Sequence, residues 1–170
     1  TANPPTPPAA SSASDRPQDP PSTAGRTALG FGFSLLSALM LFLMWDSQAN
    51  AWPLVFVGFV PMFIAAYRLL PRRLAALAYG IAAFGYYIAL SLQAGGVLPL
   101  AAVVIIALVL ALIWLGLGTF EKRFTERTDY KWFIVQFPLL WIGFEVFFQS
   151  NLLLGSNYWI GYRLASVPAF

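Results

Sequence analysis

Five apolar runs, each 18 to 24 residues long, occupy most of the chain between residues 28 and 154 and leave it few ways to fold. They cover residues 28–45, 51–70, 74–93, 97–120 and 132–154, and only Arg68 and Glu145 put a charge inside them. About 20 helical residues cross a hydrocarbon layer about 30 Å thick. Lipid offers no partner to a bare peptide group, so a run that crosses it is expected to be a helix. A chain of 170 residues must expose a large share of its surface, and this one is 59% hydrophobic and only 10% charged. The expectation is an all-α, polytopic membrane protein: a bundle of about five transmembrane helices. Pro53, Pro61, Pro99 and Pro138 are expected at helix ends or kinks.

Residues 1–27 have a different composition. They hold seven of the 13 prolines and no large aliphatic side chain. Such a segment buries too little apolar surface to offset its ordering entropy, so a disordered tail is expected rather than a signal peptide. The ten Lys and Arg residues then set the orientation. Arg16 and Arg26 lie in or beside the tail, Arg68, Arg72 and Arg73 near the 70–74 loop, and Lys122, Arg123, Arg127 and Lys131 in the 121–131 loop. The two other loops carry none, and Arg163 alone follows the last run. With the tail cytoplasmic, nine of the ten fall on the cytoplasmic face. The net charge of +3 is therefore a topology signal and not a nucleic-acid patch.

The sequence has no Cys and no His, which excludes disulfides, thiolate nucleophiles, Cys/His zinc sites and His-based triads. Ala78, Ala82, Gly85 and Ala89 recur at helical spacing in the third run, and Gly30, Gly32, Gly116 and Gly118 punctuate the first and fourth; such residues let membrane helices approach closely. Glu145 is the anomaly. It is residue 14 of the 23 in the last run, and an acidic residue near that depth costs roughly 2.5–3.5 kcal/mol. No Lys or Arg stands at that level, so hydrogen bonds inside the bundle are expected, with Trp45, Tyr86, Tyr87 and Ser91 as available donors. Trp141, Glu145 and Gln149 share one helical face. Either a structural role or a direct role toward a head group near the outer surface fits Glu145. Residues 155–170, with Tyr158, Trp159 and Tyr162, read as an extracytoplasmic interfacial loop or as a substrate platform at the outer surface.

Several segments, in order, resemble the membrane region of bacterial apolipoprotein N-acyltransferase. "AWPLVFVGFVPMFIA" resembles its Trp-Pro followed by an apolar run with an inner Pro (Trp52, Pro53, Pro61). "YGIAAFGYYIALSLQAGGVLP" resembles its Gly-rich third helix with an aromatic, a Ser and a Gly pair (Gly80, Gly85, Tyr87, Ser91, Gly95, Gly96). "PLLWIGFE" resembles its fifth helix (Pro138, Trp141, Glu145), and "GSNYWIGY" the outer loop after it (Gly155, Gly161, Tyr162). The chain departs from the pattern in three places. Phe148 stands where the family usually has Arg, Tyr87 where Trp is common, and the outer loop lacks the usual Gly-Phe-Pro-Trp.

The resemblance implies a multi-pass protein of the bacterial inner membrane that takes part in lipoprotein maturation. Its partners would be a phospholipid acyl donor and a lipoprotein acceptor. No cofactor is implied. The family's chemistry resides in a Glu-Lys-Cys triad in a nitrilase-like extracytoplasmic domain, and no residue here matches that triad. The segment is thus expected to anchor the catalytic domain, to shape lateral lipid access, and to be inactive alone. A non-enzymatic anchor of the same lineage, for example for a polyprenol-linked glycosyltransferase, stays open beside it.

Overall fold

A computed structural model describes residues 23–45, 51, 53–93 and 99–149, and every element among them is helical. The elements are α1 (Thr23–Met44), α2 (Leu54–Val57), α3 (Val60–Ile64), a π-helical turn (Ala65–Leu69), α4 (Ala75–Gln93), α5 (Leu100–Arg127) and α6 (Phe133–Gln149). Three helices are long and apolar enough to cross a membrane: Thr23–Met44, Ala75–Leu92 and Leu100–Arg127. Val60–Leu69 and Phe133–Phe147 are shorter apolar helical segments. Residues 1–22 of the tail and the loop 155–170 lie outside the described residues.

The second run, 51–70, is not one helix as its hydropathy suggests. Pro61 has no N–H to offer the carbonyl of Val57, and its ring crowds that carbonyl, so the helix breaks at Gly58–Phe59 and restarts with Pro61 in its first turn. The break is tied down from α1, where Ser37 donates its hydroxyl to the carbonyl of Gly58. A side chain is crowded there: a Cβ on Gly58 would stand 2.8 Å from the Leu54 carbonyl oxygen and 2.9 Å from Leu41 Cδ2. The run then ends in a π turn, closed by the Leu70 N–H on the carbonyl of Ala65 at 2.8 Å. Cations cap its open carbonyls, Lys122 on Ala66 at 2.8 Å and Arg26 on Arg68 at 2.9 Å.

Two boundaries also differ from the apolar runs, for one reason. Hydropathy marks where the apolar environment ends, and a helix can continue beyond it. The first helix begins at Thr23 and not at 28, so residues 23–27 are not part of a disordered tail; Thr27 bonds back to the Thr23 carbonyl at 2.9 Å. The fourth extends from Leu100 to Arg127 and not from 97 to 120, because "EKRFTER" is made of good helix formers. The segment read as a loop is therefore nearly two turns of helix. The true turn is short. It passes through left-handed Asp129 (φ 49°) and Tyr130 (φ 60°) and is closed by the Tyr130 N–H on the Thr125 carbonyl at 3.0 Å. α4 and α6 start within one residue of their runs, at Ala75 and Phe133.

α4 is the central helix, packed closely against α1 on one side and α5 on the other. Its small-residue stripe makes this possible: Ala78, Ala82, Gly85 and Ala89 are all buried. At Gly85 the α1 backbone comes so near that an added Cβ would sit 2.7 Å from Ala38 Cα. Gly30 and Gly118 instead make room for side chains, those of Leu70 and Tyr79, whereas Gly32 and Gly116 face open space. α6 joins the bundle through rings spaced as one helical face. Phe133, Phe137, Trp141 and Phe144 meet Phe59, Phe63, Tyr67 and Trp114 edge-on or stacked. Each well-placed pair contributes roughly 0.5–1.5 kcal/mol beyond the area it buries. The opposite face of α6 is exposed and apolar, with Ile134 85% accessible and Leu139 64%. Ser34, Ser37, Glu121 and Thr125 are meanwhile buried. A bundle with polar groups inside and aliphatic side chains outside suits a hydrocarbon solvent.

Candidate functional site

Glu145 lies on α6, half-buried against α4. One turn before it, Trp141 donates its indole N–H to Glu145 Oε1 at 2.8 Å, and the Tyr86 hydroxyl of α4 donates to the same oxygen at 3.1 Å. The carboxylate thus has the expected bond to the third run, and one of its donors comes from its own helix. Tyr86 is fully buried, packed edge-on against Trp45, Tyr87 and Trp141 at 5.7, 5.0 and 4.9 Å. Tyr87 does not turn to Glu145; its hydroxyl accepts the Trp114 indole N–H at 3.1 Å. The Trp45 indole N–H is buried with no acceptor among the described residues, a condition that costs about 1–3 kcal/mol and leaves a donor ready for an oxygen. The site therefore offers one carboxylate, oriented by two donors, in an aromatic wall. That arrangement suits binding of an amine or hydroxyl at an apolar surface.

No protein-family model, curated protein or solved structure matches this chain.

Of the other residues singled out in the sequence, Trp141 and Tyr87 join this cluster, whereas Tyr158, Trp159 and Tyr162 lie outside the described residues. Gln149 closes α6, but its side chain is also outside the description. Ser34 and Ser37 each donate to a backbone carbonyl, so neither hydroxyl is directed at a base. Among the described residues no three acidic side chains gather as metal ligands.

A second buried carboxylate was not legible as such. Glu121 is fully buried and accepts from the Tyr79 hydroxyl and, at 2.7 Å, from Tyr67. The Thr125 hydroxyl lies 3.2 Å from Glu121 Oε1 and 2.9 Å from Gln136 Oε1, and Gln136 Nε2 donates to the Glu121 carbonyl at 2.9 Å. One residue thereby ties the π turn, α4, α5 and α6 together. The signal was present in the sequence. Val103, Ala107, Ala111, Trp114, Gly118, Glu121 and Thr125 form one unbroken buried stripe at spacings of three and four, and the stripe crosses the point where hydropathy falls. Tyr79 and Tyr86, one per carboxylate, are seven residues apart on α4, about 10 Å along the axis. The rings of Phe137, Trp114 and Trp141 fill the interval. The basic residues gather at the Glu121 end, and Glu145 stands toward the other.

Proposed function

We propose that this chain is a multi-pass membrane bundle of about five helices that forms the membrane region of an apolipoprotein N-acyltransferase. In this reading the basic end is cytoplasmic, the bundle lies in a bacterial inner membrane, and Glu145 stands toward the outer leaflet. There it borders the route by which a phospholipid acyl donor and a lipoprotein acceptor reach an extracytoplasmic catalytic domain. The observation that carries the reading is the Glu145 cluster. Within "PLLWIGFE", the motif that most resembles the family's fifth helix, the carboxylate is positioned by Trp141 and Tyr86 on the side of the bundle away from the basic residues. The test is mass spectrometry of lipoprotein N-termini in cells in which the gene for the parent protein is depleted. Accumulation of diacylated lipoproteins with free amines supports the proposal; unchanged triacylation overturns it.

One feature favours a second reading. The sequence contains no Cys and no His, and among the described residues the two buried serines are engaged with carbonyls, so no thiolate or His-based centre is available. A non-enzymatic anchor of the same lineage, for instance for a polyprenol-linked glycosyltransferase, matches that equally. It predicts unchanged triacylation in the same experiment.

A further inference from the structure

At the basic end, a cleft of about 400 Å³ lies between the start of α4 and the last turns of α5, and its wall carries Arg72, Arg73, Lys122 and Arg123 against a single carboxylate, Glu126. Two of the four cations are already engaged. Arg72 pairs with Glu126 at 2.5 Å, and Lys122 donates to the Ala66 carbonyl at 2.8 Å. Arg73 and Arg123 have no hydrogen-bond or ion-pair partner among the described residues. Cations that converge on one cleft with too few anions repel each other, and an anion that enters it relieves the repulsion. Arginine pairs carry this furthest, because a guanidinium fork matches the geometry of a phosphate.

The surroundings decide what bears the phosphate. Along α5, Thr119 lines the cleft, and the same helical face continues away from the basic end through Gly116, Leu112 and Leu108. Leu112 and Leu108 are 59% and 51% exposed, and Gly116 leaves the wall flat, with nothing within 4 Å of where its Cβ would stand. That apolar strip runs about 10–16 Å from the cleft, at 1.5 Å per residue. A free phosphate has no use for it, whereas a lipid has two acyl chains to lay there. Basic pockets between membrane helices at the cytoplasmic level are also where anionic head groups are most concentrated.

We infer that the cleft between α4 and α5 binds the phosphate head group of an anionic phospholipid, held by Arg73 and Arg123 and flanked by Arg72 and Lys122, with the acyl chains along Leu112 and Leu108. This requires insertion in a membrane but does not depend on the acyltransferase reading, since it concerns the opposite end of the bundle from Glu145.

The full chain in a non-ionic detergent is titrated with phosphatidylglycerol, phosphatidylcholine or inorganic phosphate, and binding is read from the rise in melting temperature and by native mass spectrometry. Phosphatidylglycerol should raise the melting temperature saturably, and the other two should not. Arg73→Gln with Arg123→Gln should leave the lipid-free melting temperature unchanged, because neither side chain holds another element. It should weaken phosphatidylglycerol binding roughly thirty-fold, at about fivefold per cation. Arg127→Gln with Lys131→Gln, the same charge change outside the cleft, should leave binding within about twofold. Equal loss in both pairs means that diffuse surface charge is the cause and overturns the site. Equal stabilisation by phosphatidylcholine or by inorganic phosphate overturns the anionic lipid as its occupant.

Discussion

Replacement of Glu121 by leucine separates the structure from the reading that hydropathy alone would give. If residue 121 belonged to a solvated loop, the change would fall within about 0.5 kcal/mol. In the structure it deprives Tyr67 and Tyr79 of their common acceptor, whereas Thr125 keeps Gln136 at 2.9 Å. Hydrogen bonds between membrane helices contribute about 0.6 kcal/mol on average and up to about 1.7. Two lost bonds therefore give roughly 1–3 kcal/mol, the upper part of which reflects Tyr79, a residue only 1% exposed whose hydroxyl has no route to water. The diagnostic quantity is the coupling. Tyr79→Phe in the Glu121→Leu background removes the orphaned donor, so the double variant should be more stable than the sum of the single losses by about 1 kcal/mol. The assay is reversible unfolding in mixed micelles of the parent, the two single variants and the double variant. Additive losses, or a neutral Glu121→Leu, would refute the claim that this carboxylate joins the π turn and α4 to α5.

At the closest helix crossing, Gly85→Val should destabilise the bundle by about 1–3 kcal/mol through overpacking against Ala38, while Gly116→Ala, which points into open space, should be neutral or stabilise by up to about 1 kcal/mol; thermal melts in detergent compare them. For Glu145, Gln keeps an acceptor for Trp141 and Tyr86, so Glu145→Gln should melt like the parent, while Glu145→Leu, which leaves Tyr86 without that acceptor, should melt lower. If the proposed function holds, loss of acyl transfer in Glu145→Gln at unchanged stability would assign the charge itself to function, and a Glu145→Leu protein as stable and active as the parent would refute both roles. The 170-residue chain, purified into micelles with phospholipid and a diacylated lipopeptide, should yield no triacylated product by mass spectrometry, because it has neither Cys nor His to supply an activated nucleophile.

Much of the helical architecture was legible because its causes are local. The spacing of Ala78, Ala82, Gly85 and Ala89 and the break at Pro61 act within a few turns of one helix, and the structure shows both in use. What escaped depends on partners distant in sequence. The hydropathy fall at Glu121 marks the end of an apolar environment, but the burial of Glu121 depends on Tyr67 and Tyr79, 54 and 42 residues away. The broken second run had its cause on view in Pro61; its tie to Ser37 and its π turn, capped by Lys122 and Arg26, are tertiary. At the candidate site, the i to i+4 pairing of Trp141 with Glu145 follows from helical spacing, and a donor from the third run follows from the need to satisfy a buried carboxylate. That the donor is Tyr86 and that Tyr87 turns to Trp114 are set by the rotation of α4 about its axis, which no local pattern encodes.

The central claim is that the apolar exterior of this bundle faces lipid, with its basic end in the cytoplasm and the Glu145 end toward the outside. The absence of native cysteine makes a direct measurement possible, since each engineered thiol is unique. Single variants Ser22→Cys, Ser47→Cys, Gly95→Cys and Ser156→Cys are expressed in cells and treated with a membrane-impermeant thiol reagent before and after lysis. The account predicts labelling in intact cells at 47, 95 and 156, and at 22 only after lysis. Labelling of 22 but not of 95 in intact cells would invert the orientation, and recovery of the protein in the soluble fraction without detergent would contradict membrane insertion altogether.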